Sequence, residues 1–165
     1  MNMATQPPSF LLPPRAHPRG QAMVELALIL PIFMLILMAI VEAGRLLLIY
    51  SSVSSASREA ARFGAGVGLT NRAALIPPYS DCAGIIAAAR RVTFLDTLDT
   101  ISIAYDNPQT GFSHAGCPPP QINIGDRIVV TVTATYEPIV PFLQISAIPI
   151  TSETRRTILK EVWID

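Results

Sequence analysis

From Leu26 to Val41 the chain carries no charged residue, and the run "RLLLIY" after Arg45 lengthens this apolar stretch by about a turn. At 1.5 Å per residue, a helix of about 20 residues starting at Leu26 crosses a hydrocarbon core of about 30 Å. The pattern predicts one membrane segment over about 24–50. Past Tyr50 the helix-forming sequence turns small and polar, with Ser51, Ser52, Ser54, Ser55, Ala56, Ser57, Ala60 and Ala61. Such a surface suits close approach of another backbone; the alternative is a plain solvated helix. Both halves read as one helix from about Gln21 to about Phe63, with an expected kink at Pro31 and a stop at Gly64, Gly66 and Gly68.

The period then changes. Ser80 or Asp81 could cap a second helix running to about Leu95, with Ile85, Ile86, Ala89 and Val92 at helical spacing. Three later segments, "TISIAY", "RIVVTVTATYE" and "SETRRTILKEVW", read as strands. In the middle one Ile128, Val130, Val132, Ala134 and Tyr136 alternate with more polar neighbours, so one face goes to a core and the other to water. The last alternates less cleanly, as an edge strand does, and Trp163 on it reads as an aromatic packed on the sheet. "PIVPFLQISAIPI" and "DNPQTGFSHAGCPPPQ" read as loops. The organisation expected is a proline-rich leader over 1–20, the long helix over 21–66 and an α+β domain over 67–165.

Composition adds a compartment. Half of the 165 residues are hydrophobic, only 15% are charged and the formal net charge is zero, so no global field draws nucleic acid. In the first two dozen residues the charges are Arg15 and Arg19, without Asp or Glu; basic flanks stay cytoplasmic, which puts the chain after Tyr50 outside. There Cys82 and Cys117 meet an oxidising compartment in which a disulfide persists; two unpaired thiols are the alternative. Two cysteines and His114 are too few for a metal site.

Catalytic signals are lacking. His114 lies in a loop without a recognisable partner motif, no phosphate-binding glycine loop is present, and "YDNPQTG" lacks the spacing and terminal Glu of a calcium loop. The reading is a non-enzyme without cofactor or metal. Charged residues on the helix are then the ones to explain. Glu25 sits near the start of the apolar run, where a carboxylate costs about 2.5 to 3.5 kcal/mol on insertion scales. Glu42 and Arg45 lie three apart on one helix face, as an interfacial ion pair or an assembly contact. Arg58, Glu59 and Arg62 read as a solvated face.

The segment "RGQAMVELALILPIFMLILMAIVEAGRLLLIYSSVSSASREAARFGA" resembles the signature of TadE-like proteins, minor pilins or pseudopilins of tight-adherence (Flp) type IV pilus systems. The shared features are a basic residue and glycine before the helix, "VE" leading into "LALILP", then "EAGR" and "AAR". Related motifs often carry Phe or Tyr after this Glu; here Leu26 keeps the hydrophobic character. The resemblance implies a pilin-like α+β fold, a long transmembrane helix packed on a small antiparallel sheet with one further short helix. It also implies cleavage by a prepilin peptidase between Gly20 and Gln21, which makes Glu25 the fifth residue of the processed chain. A freed α-amine, with a pKa of about 7.7 to 8.0, would find its counter-charge on Glu25 of a neighbouring subunit.

Implied partners are that peptidase, other pilin or pseudopilin subunits, an inner-membrane assembly platform with its separate ATPase, and the lipid bilayer. The implied location is the plasma membrane, single-pass, with the C-terminal domain outside the cytoplasm. The competing reading is a secreted or membrane-anchored extracytoplasmic binding domain behind an ordinary signal peptide or signal anchor. "VEA" at 41–43 resembles a small-residue cleavage site, although Glu42 would then sit at the cut.

Overall fold

The helix-forming run folds as α1 (Arg19–Gly64), which continues through Pro31. The structure, a computed structural model, describes residues 19–71, 73–93, 98–139 and 146–159. Most of the expected leader lies outside these residues, as does Trp163; the second helix, expected to run to about Leu95, stops at Arg91 with Val92 as its C-cap. Two units divide the chain, Met1–Ala39 and Ile40–Asp165.

In the first unit, α1 exposes every described residue from Gly20 to Ala39 except Met38, which is half-buried. A helix apolar all round and without a buried face has the character of a membrane span. Gly20–Gly64 contains a window of mean hydropathy 2.8, and this long apolar helix fits a single-pass membrane anchor.

In the second unit, α1 becomes one-sided. Ile49, Val53, Ala56, Ala60 and Ala61 recur at helical spacing, and each is buried in a core with Ile103, Tyr105, Ile128, Val130 and Val132. The small side chains let the helix come close to its neighbours. At Gly64 the approach is closest: a Cβ there would stand 2.3 Å from Ile128 Cδ1. The glycine therefore serves packing as well as the helix stop.

A 3-10 turn, Pro78–Ser80, leads into α2 (Cys82–Arg91). Of the two candidate caps Asp81 takes the role, its carboxylate accepting from the Gly84 N–H at 2.8 Å. Ile85, Ala88 and Ala89 are its buried residues.

The sheet has four antiparallel strands, β1 (Thr100–Asn107), β2 (Phe112–Ala115), β3 (Arg127–Tyr136) and β4 (Ile148–Thr157), in the order β2-β1-β3-β4. The layout is α+β and pilin-like, as expected, with one strand more than the pattern predicted. The added strand, β2, lies within the segment read as a loop. "FSHA" is too short and polar to stand out, but a tight turn folds it back on β1, with Asn107 paired to Phe112. The Asn107 side chain accepts from the Gln109 and Thr110 N–H groups, and Gly111 takes a positive φ of 73°.

β4 also starts earlier than expected, at Ile148 instead of Ser152. Its Pro149 faces Thr135, a position an edge strand tolerates because no further strand needs the missing N–H. Ser152 and Thr154 on β4 reach α1. The fully buried Ser57 hydroxyl donates to Ser54 O at 3.1 Å, and its lone pairs accept from Ser152 Oγ and Thr154 Oγ1, both at 2.9 Å. Ser57 thus seats the helix on the chain's own sheet, Ser52 and Ser54 are buried with it, and Ser51 and Ser55 stay exposed.

Candidate functional site

Two carboxylates on α1 have opposite surroundings. Glu25 is exposed, and its one described contact is a hydrogen bond from Gln21 Nε2 at 3.3 Å. Gly20, already helical, is exposed with nothing within 4 Å of where a Cβ would stand. The turn from Gly20 to Glu25 is therefore open on the helix surface among the described residues.

Glu42 is buried, 8% exposed, and surrounded by donors. Arg45 Nη1 stands 3.1 Å from Oε2, so the pair expected from the three-residue spacing is formed. Two further donors come from the end of β3: the Tyr136 hydroxyl bonds Oε2, and the Ile139 N–H bonds Oε1 at 2.6 Å. The Arg45 guanidinium lies over the Tyr136 ring at 5.7 Å. A carboxylate out of water needs several donors to offset its lost hydration, and here side chain and backbone both supply them.

Sequence reasoning missed Tyr136 and Ile139 as partners. One signal was present: a tyrosine on the buried face of a strand needs a partner for its hydroxyl. Nothing in the linear order, however, names Glu42 as that partner.

Cys82 and Cys117 are joined in a disulfide, tying the start of α2 to the segment after β2. Beside it the Tyr105 hydroxyl donates to Tyr79 O at 2.5 Å and stands 3.3 Å from Cys117 Sγ; burial pushes its pKa up. His114 lies on β2 opposite Tyr105 in register, the ring centroids 6.4 Å apart.

On the outer side of the sheet Arg127 grips Asp106 with two hydrogen bonds, 2.8 and 2.7 Å, and Arg155 stands 3.5 Å away. These bonds hold the Asp106 carboxyl below its ordinary pKa. The helix face read as solvated carries its own links: Arg62 pairs with Glu59 at 2.5 Å, and Arg58 Nη2 donates to Ser54 Oγ at 2.7 Å.

Residues 20–62 match the family model described as TadE-like protein. Comparison with curated proteins and with solved structures found no match. The segment similar to TadE-like proteins holds Glu25, Glu42, Arg45 and the serine-rich face.

Proposed function

We propose that this chain is a structural subunit, a minor pilin or pseudopilin, of a tight-adherence-type pilus machine. A prepilin peptidase trims it between Gly20 and Gln21. The observation that carries the reading is the TadE-like match starting at residue 20, on a helix whose next turns are apolar and unclad by protein. The exposure of Gly20 and Glu25 supports it. An exposed scissile bond is open to a peptidase at the membrane face, and Glu25 is free to meet a charge from another chain.

In this reading the new α-amine at Gln21 pairs with Glu25 of a neighbouring subunit and sets axial register. No catalytic residue is assigned to the chain, so a separate ATPase drives assembly through the inner-membrane platform. The N-terminal side of the helix faces the cytoplasm, and the sheet domain lies outside.

A signal-peptide cut at 41–43 fits less well. It would sever Glu42 from the sheet domain, where Tyr136 and Ile139 hold it. The experiment is intact-mass and N-terminal analysis of membrane-fraction protein from cells carrying the whole machine. Processed chain starting at Gln21 supports the proposal, and a start at Gly44 refutes it. Replacing Glu25 by Ala should leave insertion normal and impair assembly; unchanged pilus formation would remove the charge role.

A further inference from the structure

The second unit begins at Ile40. Ile40 and Val41 are exposed, whereas the next residue, Glu42, is held by Tyr136 and Ile139. Counted back from Val41, the residues to Val24 rise about 27 Å, close to the thickness of a hydrocarbon core. The apolar run continues past that length. Leu47, Leu48 and Tyr50 are 60% exposed or more, although Ile49 between them is in the core.

The same end of the sheet is apolar. Ile139 is 60% exposed and Ile148 44% exposed. Ile148 is the register partner of Tyr136, and the Ile139 N–H binds Glu42, so both lie where α1 enters the domain. From Pro138 to Ser152 the sequence has no charged side chain. Exposed apolar side chains gathered in this way mark an interaction surface.

We infer that this end of the domain, with Ile139, Ile148, Leu47, Leu48 and Tyr50, rests in the interfacial layer of the bilayer that α1 spans. The inference rests on reading α1 as a membrane anchor. Continuity with the span selects lipid as the occupant. From Glu42 to Leu48 the helix rises about 9 Å, comparable to a headgroup layer. A tyrosine suits that depth, and the charge of Arg45 is met there by Glu42. Glu42, the charge that would be costly at this level, is the one the domain covers.

The opposite end of β3 provides a control. Ten strand residues away, about 30 Å along the strand, Ile124 is 86% exposed just before Arg127.

The test uses the full chain with its single tryptophan removed, Trp163→Phe. One new tryptophan at a time is placed as Ile139→Trp, Ile148→Trp, Leu35→Trp or Ile124→Trp. Each variant is checked by circular dichroism and reconstituted in phosphatidylcholine–phosphatidylglycerol vesicles containing lipids brominated either high or deep on the acyl chain. High bromines should quench the reporters at 139 and 148, and their emission should shift to the blue relative to 124, which stays unquenched. Deep bromines should quench the reporter at 35.

Quenching at 35 without quenching at 139 and 148 overturns the inference and leaves the anchor standing. Loss of quenching at 35 overturns both. A blue shift at 139 that appears only when protein crowds the vesicle, without bromine quenching, makes the surface a contact between copies and also overturns the inference. Two reporters on separate strands or loops keep the test decisive if either substitution disturbs the fold.

Discussion

The hydroxyl of Tyr136 donates a hydrogen bond to the carboxylate of Glu42, 94 residues earlier in the chain. The contact clamps α1 to the last residue of β3. The far end of the same packing is Gly64 against Ile128, so the helix runs along β3 in the opposite direction.

Replacing Tyr136 by Phe keeps the ring under Arg45 and removes the donor. The buried carboxylate is then left short of one hydrogen bond, a change that costs more than the bond itself contributed. Detergent-solubilised full-length protein should unfold at a lower temperature with Tyr136→Phe, whereas Tyr50→Phe, at an exposed position, should leave the midpoint in place. Equal midpoints for both variants would show that the hydroxyl does not hold the helix.

Gly64→Ala should destabilise the sheet domain by about 1 to 3 kcal/mol, because the new methyl must displace a buried isoleucine. Ile128→Val deletes the Cδ1 methyl that the new Cβ would meet, at a cost of about 0.5 to 1.5 kcal/mol alone. The double variant should be more stable than the two single losses summed. Urea unfolding of the four proteins measures this coupling, and simple additivity would show that the two residues do not clash.

The disulfide closes a loop with a sequence separation of 35. In the chain-entropy model such a cross-link contributes about 3 to 4 kcal/mol. Converting both Cys82 and Cys117 to Ser should lower the thermal midpoint by on the order of 10 °C for a chain of this size. Reductant should move the parent to the same point and leave the double variant unmoved.

Asp106 gives a pH dependence of known sign. Its folded pKa lies below the ordinary carboxylate value, chiefly through hydrogen bonds from Arg127. Its contribution is therefore complete above the unfolded pKa of about 3.9 and is lost as pH falls through the lower folded value. Solvent reaches the pair, so the effect is modest. Asp106→Asn should reduce stability near neutrality and flatten the acid limb of the stability profile, as read by unfolding midpoints across the acid range. An acid limb as steep as the parent's would assign it to other carboxylates.

Much of the fold was legible in one dimension. The uncharged stretch from Leu26 to Val41 specified a helix apolar on every side, as fits a membrane anchor, because that property depends on composition alone. Alternation from Ile128 to Tyr136 specified a strand with one core face. The three-residue spacing of Glu42 and Arg45 specified their pairing, since helix geometry is local. The short strand β2 was hidden because its pairing depends on a turn that brings Phe112 back to Asn107, with little hydrophobic pattern of its own.

The sequence by itself determined what depends on neighbours along the chain: the apolar span, the narrowing of the α2 cap to Ser80 or Asp81, the spacing of Glu25 from Gly20. The tertiary structure alone decided that Ser57 of α1 bonds the sheet, that Glu42 is enclosed by Tyr136 and Ile139, and that Gly64 admits Ile128. Those contacts join residues far apart in sequence, and their donors and volumes become complementary only when helix and sheet pack.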